Sequence, residues 1–362
     1  MGKGNFGTCL QSFALNRILQ QKGYDVSFLA YLPPSYSVKS KIKYIIHILG
    51  LEYLVDLLMN PSQRIQITKL RKFQKPNFKV VRAFTEKQEL RLEEEFDCFL
   101  TGSDQIWNTY YSLYNRKFFL SFIKEKKRIA YASSIGTNGV KENCKEDVKH
   151  LLLQFCHIGV REAEAVKVLS ALTGRGDIQQ VLDPTFLLRP EEWACITKDA
   201  TYEFDLPEEY IFCYFIGNNP WYAEQLKDVS KRYGIDNIII VPSTENPMFS
   251  IDNAIVYRYA SPVEFVDLIR NSKLVCTDSF HATALSINHS VPFVEFMRFQ
   301  QSDKKSQNSR IQDLLKHYDL TNRVYNKEFS EWAKTIDYLP IQNILARDRK
   351  RSMDYLINAI EY

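Results

Sequence analysis

The residues best suited to chemistry in this chain are a histidine set among hydroxyl residues, an aspartate in a glycine-serine turn, and an arginine at the end of an apolar run. His281 lies in the run Thr277-Asp278-Ser279-Phe280-His281, directly after the apolar residues 274–276. An imidazole exchanges a proton near neutral pH, which is what general acid or base work requires. The segment 273–296 reads as strand, turn, small-residue helix and strand, and His281 falls where the first strand hands over to the helix. Open α/β sheets hold their ligands at such junctions. The unpaired N–H groups and the positive dipole end of a helix start make the place hospitable to an anion. Asp278 and Ser279 belong to the same turn. His289 falls in the turn back to the second strand, with no anion pocket beside it, and reads as structural.

In Phe96 to Asn108 (FDCFLTGSDQIWN) a strand over 97–101 leaves Gly102, Ser103, Asp104 and Gln105 at its carboxyl end. A carboxylate on such a loop faces a cleft, which makes Asp104 a candidate base or substrate clamp; the plainer reading is an N-cap for the segment holding Ile106 and Trp107. Arg161 ends the short strand 158–162, where its guanidinium could fork a carboxylate or phosphate, or pair with a nearby glutamate. Asn5 sits in the glycine turn 4–7, a loop able to offer N–H groups to a ligand. No Asp, Glu and His set has metal-ligand spacing, so no metal site is expected.

These residues must be positioned by alternating elements. A helix is expected over 8–22, with Leu10, Phe13, Ala14 and Ile18 on one face and Gly23 closing it, followed by a strand over 24–31. That is half of a βαβ unit whose opening strand is missing from this sequence. Residues 36–80 are basic and strongly apolar, suiting a helix pair that lies on an anionic membrane through 38–75 or packs against the first domain. Strands over 127–134 and 158–162 flank a helix over 141–155, and Pro184 ends the first half. Residues 189–208 read as a connection. Strands at 210–216, 237–241 and 254–257 then alternate with helices at 221–233 and 262–272, and a terminal helix is expected over 348–360. The pattern predicts an α/β protein of two Rossmann-like domains facing a cleft, 1–188 and 205–330, with 345–362 packing back on the first. Residues 303–309 read as a mobile loop able to close over a ligand.

Composition sets bounds. The 362 residues are 45% hydrophobic, enough for more than one core. Lys+Arg number 47 against Asp+Glu 43, a net charge of +4 too small and too scattered for a nucleic-acid binder, though suited to an anionic substrate. Seven widely spaced cysteines point to reduced core thiols in a cytoplasmic protein. The first residues lack a signal-peptide core, and no run approaches the roughly 20 apolar residues of a spanning helix.

Taken together, NFGTCLQSFALNRILQQKGYDVSFL, FLTGSDQIWN, KRIAYASSIG, GVRE, VLDPTFLL, VCTDSFHATALSINHSVPFV and NSRIQDLLKHYDL resemble the polysaccharide pyruvyl transferase family, in its order and over nearly the whole chain. The resemblance implies a fold similar to the glycosyltransferase B type. It also implies transfer of the enolpyruvyl group of phosphoenolpyruvate onto two hydroxyls of a sugar as a ketal, with loss of phosphate and no cofactor. The acceptor would be a polysaccharide or its lipid-linked precursor, at the inner face of the cell membrane. Family members open with an apolar strand ahead of the N-x-G turn, which is missing here. On this reading His281 protonates the enol carbon, and Asp104 takes the hydroxyl proton or holds the sugar. Arg161, Arg310 in NSRI and Arg298 with Ser279 hold the donor. Two alternatives stand beside it: a nucleotide-sugar glycosyltransferase of the same fold, and a non-catalytic carbohydrate-binding relative.

Overall fold

The computed structural model describes residues 6–30, 61–83, 85–110, 114–243, 249–299, 308–328 and 330–362. Helix α1 (Phe6–Gln21) and strand β1 (Phe28–Ala30) lead to α2 (Pro61–Asn77) and β2 (Val80–Arg82), which lies parallel to β1 with Phe28 opposite Val80. Helix α3 (Glu86–Glu95) opens with a capping box between Thr85 and Gln88. Strands β3 (Cys98–Thr101), β4 (Lys127–Ser133), β5 (His157–Val160) and β6 (Gln179–Gln180) then form a parallel sheet in chain order, with α4 (Lys145–Leu152) and α5 (Ala163–Thr173) as crossovers.

The second half contains α6 (Pro190–Thr197), β7 (Ile211–Tyr214), α7 (Tyr222–Tyr233), β8 (Ile238–Ile240), β9 (Ile255–Val256), α8 (Pro262–Asn271), β10 (Leu274–Thr277), α9 (Phe280–His289) and β11 (Phe293–Glu295). Helices α10 (Ser309–His317) and α11 (Tyr338–Glu361) follow. Its five parallel strands lie in the order β11-β10-β7-β8-β9. The half's first strand is therefore central, and the order reverses beside it, which is the doubly wound arrangement. Strands β7 and β10 are buried along their whole length. A parallel strand covered on both faces must be apolar throughout, as these runs are.

The strands of the first half are parallel too, but lie in two sheets. Strands β2 and β1 lie to one side and β3 to β6 to the other, and among the described residues no strand joins β1 to β3. A cavity of about 1550 Å³ runs along the gap past Phe28, Cys98 and Leu100, and continues to the carboxyl ends of the strands.

One apolar core joins the halves. Phe6 of α1 stacks on Phe265 of α8 at 4.7 Å and meets the edge of Tyr214. The Asn288 side chain donates to the carbonyls of Thr185 and Leu188. Helix α11 touches both halves, through the Tyr355 hydroxyl on the Ala130 carbonyl and the Gln342 amide on that of Ile287.

Several expected boundaries shift. The stretch 189–208 holds α6, with Pro190 in its first turn. Helix α11 starts at Tyr338 rather than 348, because Pro340 sits in the first turn, where its missing N–H is no loss. Residues 61–77 of the basic region pack inward: Phe73 meets Phe13 at 5.2 Å, and Lys69 reaches Tyr257 and Glu264. Residues 38–60 and 303–307 lie outside the described residues, while Ser309 already belongs to α10. Among the described residues no helix is long and apolar enough to cross a membrane. All seven cysteines are unpaired, but only Cys9, Cys213 and Cys276 are buried, so the expectation of core thiols holds for part of the set.

Candidate functional site

Two walls meet at the carboxyl ends of the strands. The second half supplies the first wall. Thr277 ends β10 beside Tyr214 of β7, at the point where the strand order reverses, and its hydroxyl donates to the Tyr214 carbonyl at 2.5 Å. Asp278 follows, and its carboxylate accepts from the Ile216 and Gly217 N–H groups at 2.6 and 2.7 Å, from the Tyr222 hydroxyl at 2.8 Å and from Arg298 Nε at 3.2 Å. Its lone pairs are thus engaged in fixing the 216–217 loop and aiming Arg298. Ser279 occupies the cap position of α9 without a side-chain cap bond. The helix starts at Phe280, so His281 sits inside its first turn rather than ahead of it. His289, expected in a turn, is the last residue of the same helix, where burial and then Arg270 hold its pKa down to about 4.

The first half supplies the opposite wall. Gly102 has φ +127°, and a Cβ there would meet the Tyr131 carbonyl oxygen at 1.8 Å, so only glycine allows the turn after β3. The turn delivers Asp104, whose carbonyl accepts from the Ser134 and Ile106 N–H groups and whose carboxylate accepts from Thr8 Oγ1 at 2.8 Å and the Gln105 N–H at 2.9 Å. Burial raises the Asp104 pKa, but the charges of His281, Arg161 and Arg310 outweigh it and the net shift is downward. Ser103 donates its hydroxyl to Asp183 at 2.9 Å, and the Gln105 amide oxygen accepts from Asn108.

Asp183 is the hub that sequence reasoning missed, having taken Val181 to Thr185 as a mere domain end. Its carboxylate accepts from Arg161 Nη1 at 3.1 Å and from the Thr185 N–H and hydroxyl at 3.0 and 2.8 Å, and it faces His281 Nε2 at 3.6 Å. Burial opposes its charge, yet His281 and Arg161 together hold its pKa far below the usual carboxylate range. Among the described residues Nε2 of His281 has no hydrogen-bond partner, and charge and packing orient the ring. Gly7 of α1 lies against the ring. The sequence signal for Asp183 was available: an aspartate two residues before a threonine, with proline between, is a turn whose carboxylate caps its own backbone.

Arg161 is brought into this cluster, but behind the cavity wall. It donates from Nε to Glu162 at 2.9 Å and from Nη1 to Asp183, and its guanidinium lies 4.1 Å over the Phe280 ring. Its Nη2 is buried without a hydrogen-bond partner among the described residues. Glu162, which also accepts from Ser134 Oγ at 2.8 Å, is a second missed member. Arg310, in the first turn of α10, is buried, and burial followed by repulsion from Arg161 pulls its pKa down to about 10.

The cavity of about 1550 Å³ is lined at this end by Asp104, Ser279, His281, Arg298 and Arg310. Of the expected site residues, only Asn5 lies outside the described residues. The arrangement offers a proton carrier, a carboxylate opposite it, a helix start, and two cations able to receive an anion.

The model of the polysaccharide pyruvyl transferase family matches residues 5–297. No curated protein matches the sequence at a significant level. Similar solved structures include the Neisseria meningitidis UDP-GlcNAc 2-epimerase bound to UDP-GlcNAc, at TM-score 0.46 and 10% identity over 96% of each chain. Another is Acinetobacter baumannii MurG, at TM-score 0.45 and 8% identity, covering 99% of this chain and 97% of that one. With some four-fifths of its length matched, this chain belongs to the polysaccharide pyruvyl transferase family.

Proposed function

We propose that the cleft moves the enolpyruvyl group of phosphoenolpyruvate onto two hydroxyls of a sugar in a cell-surface polysaccharide or its lipid-linked precursor. The observation that carries this reading is geometric: Arg298 and Arg310 line one cavity with His281 and with Ser279 at the start of α9. Two cations beside a helix start suit a ligand bearing a phosphate and a carboxylate. Arg298 and Arg310 line the cavity and would hold the donor's two anionic ends, with Arg161 contributing field from behind the wall.

In the first step the His281 imidazolium gives its proton to C3 of the enol, making the methyl group, while one sugar hydroxyl adds to C2 and loses its proton to Asp104. The C2–O bond to phosphate then breaks. The second hydroxyl adds to C2, closes the ketal and loses the other proton, which leaves with the phosphate. Two protons are taken up and two released. The Asp183 carboxylate stands 3.6 Å from Nε2 and orients the ring toward the cleft. Donors fixed in place before the reaction stabilise the leaving phosphate without reorganisation.

The test is phosphate release from phosphoenolpyruvate in the presence of extracted glycans, with a thermal-shift comparison of phosphoenolpyruvate and UDP-sugars. His281→Ala should abolish release while leaving the circular dichroism spectrum unchanged. Wild-type turnover by that variant would remove His281 from its role.

A further inference from the structure

A second cavity, of about 800 Å³, lies in the second half, on the far side of the two segments that carry Arg298 and Arg310. Met297 and Phe299, on either side of Arg298, line it, as do Asn308 and Gln312, on either side of Arg310. The two arginines face the cleft, while their chain neighbours face this cavity.

Its lining has a definite chemistry. Trp332 forms a buried floor, held by its indole N–H on the Asn326 carbonyl at 2.8 Å, and the Tyr325 ring lies 5.3 Å from it. Trp221, just ahead of α7, adds a half-buried aromatic surface. The cavity lining beside these rings is of carboxamides, while Arg232 over Trp332 and Asp228 at the Tyr325 hydroxyl meet the rings without lining the cavity. Among the described residues the buried Gln225 side-chain oxygen has no hydrogen-bond partner. An acceptor taken from water and left unpaired calls for a donor. Among the described residues no lysine, arginine or histidine lines the cavity. The one carboxylate among them, Glu331, is paired with Lys334 at 2.6 Å. These lining residues give an anion no counter-charge and a metal ion no ligand set.

Aromatic faces next to neutral amides suit a ligand with C–H faces and a rim of hydroxyls. We propose that this cavity is a second saccharide-binding site, which takes an uncharged sugar unit of the acceptor chain remote from the unit that reacts. This rests on the acceptor being a saccharide, as in the proposed function. The two sites share the 297–299 and 308–312 segments, so a saccharide chain that engages both is held in two places. Two linked contacts raise the effective concentration of the reactive unit at the cleft.

The test is a titration of the intact protein, without donor, with neutral galacto-, gluco- and manno-oligosaccharides. It is followed by tryptophan fluorescence and saturation-transfer NMR, with phosphoenolpyruvate thermal shift as a separate readout of the cleft. At least one series should give saturable binding. Trp221→Ala should weaken it at least tenfold and Gln225→Leu several-fold, with the phosphoenolpyruvate shift unchanged in both. Asn322→Ala, at the exposed rim, serves as a second probe should Trp221→Ala fail to fold. Absence of saturable binding by all three series overturns the proposal, as does binding that these variants leave at full strength. Loss of the phosphoenolpyruvate shift in the wild type, with saccharide binding intact, would instead strike at the pyruvyl reading and leave this site standing.

Discussion

Replacing Gly7 with alanine would place a Cβ 2.1 Å from Nδ1 and 2.5 Å from Cγ of His281. Ordinary contact begins at 3.4 Å, so either the imidazole or the start of α1 must give way by somewhat more than about 1 Å. The ring has little room, being buried between Phe280 and Asp183. Movement of α1 would carry Thr8, and with it the hydrogen bond that holds Asp104. Either path separates the proposed acid from its target. Misplacement by about 1 Å costs a reaction roughly 10²-fold, or about 2.7 kcal/mol of barrier. Stability should change little: alanine is a better helix former than glycine by about 1 kcal/mol, which offsets much of an overpacking cost of about 1–3 kcal/mol. The assay is kcat for phosphate release at saturating donor, beside a thermal melt. A folded Gly7→Ala variant with kcat within about twofold of wild type would refute the placement of His281 at the reacting atoms.

Three further outcomes follow from the same geometry. Asp183→Asn removes one of the two carboxylates that balance buried Arg161, so stability should fall by about 3–5 kcal/mol, read as a lower urea midpoint with unchanged slope. Because the folded Asp183 pKa is depressed, its contribution is complete above the unfolded value near 4 and is lost as pH falls, so the gap between variant and wild type should close progressively below about pH 4. Glu295 has the opposite sign. Burial, with Asp278 nearby, pushes its pKa well above the ordinary 4.5, so keeping it folded grows costlier as pH rises through and beyond that value; Glu295→Gln should raise the melting temperature at pH 8 and leave it nearly unchanged at pH 4. Arg310→Met removes a cation whose charged form burial already disfavours, so it should abolish the phosphoenolpyruvate thermal shift with little loss of intrinsic stability, and a full shift in the variant would exclude Arg310 from the donor site.

The elements legible in the sequence were those whose pattern and punctuation agree. Helix α1 and strands β4 and β10 declared themselves by apolar spacing and closing residues. The terminal helix was read only from 348, where its apolar spacing is clear, whereas it starts at Tyr338, with Pro340 harmless in its first turn. At the site, His281, Asp104 and Ser279 were visible because each sits where a strand ends. Asp183 and Glu162 were not, since a buried carboxylate shows its worth only through partners distant in sequence: Ser103, Arg161 and His281 reach Asp183 from three other places in the chain. Gly7 was read as part of a turn, whereas it lies in α1 as the clearance for an imidazole 274 positions further along, which no local pattern encodes.

The central claim is tested most directly by mass spectrometry of extracted lipid-linked or polysaccharide glycans incubated with the protein and phosphoenolpyruvate. The predicted product has gained the mass of one pyruvate less one water, together with one negative charge. One phosphate should be released per ketal, and neither should appear with His281→Ala. Addition of a hexose from a UDP-sugar, with phosphoenolpyruvate left untouched, would contradict it.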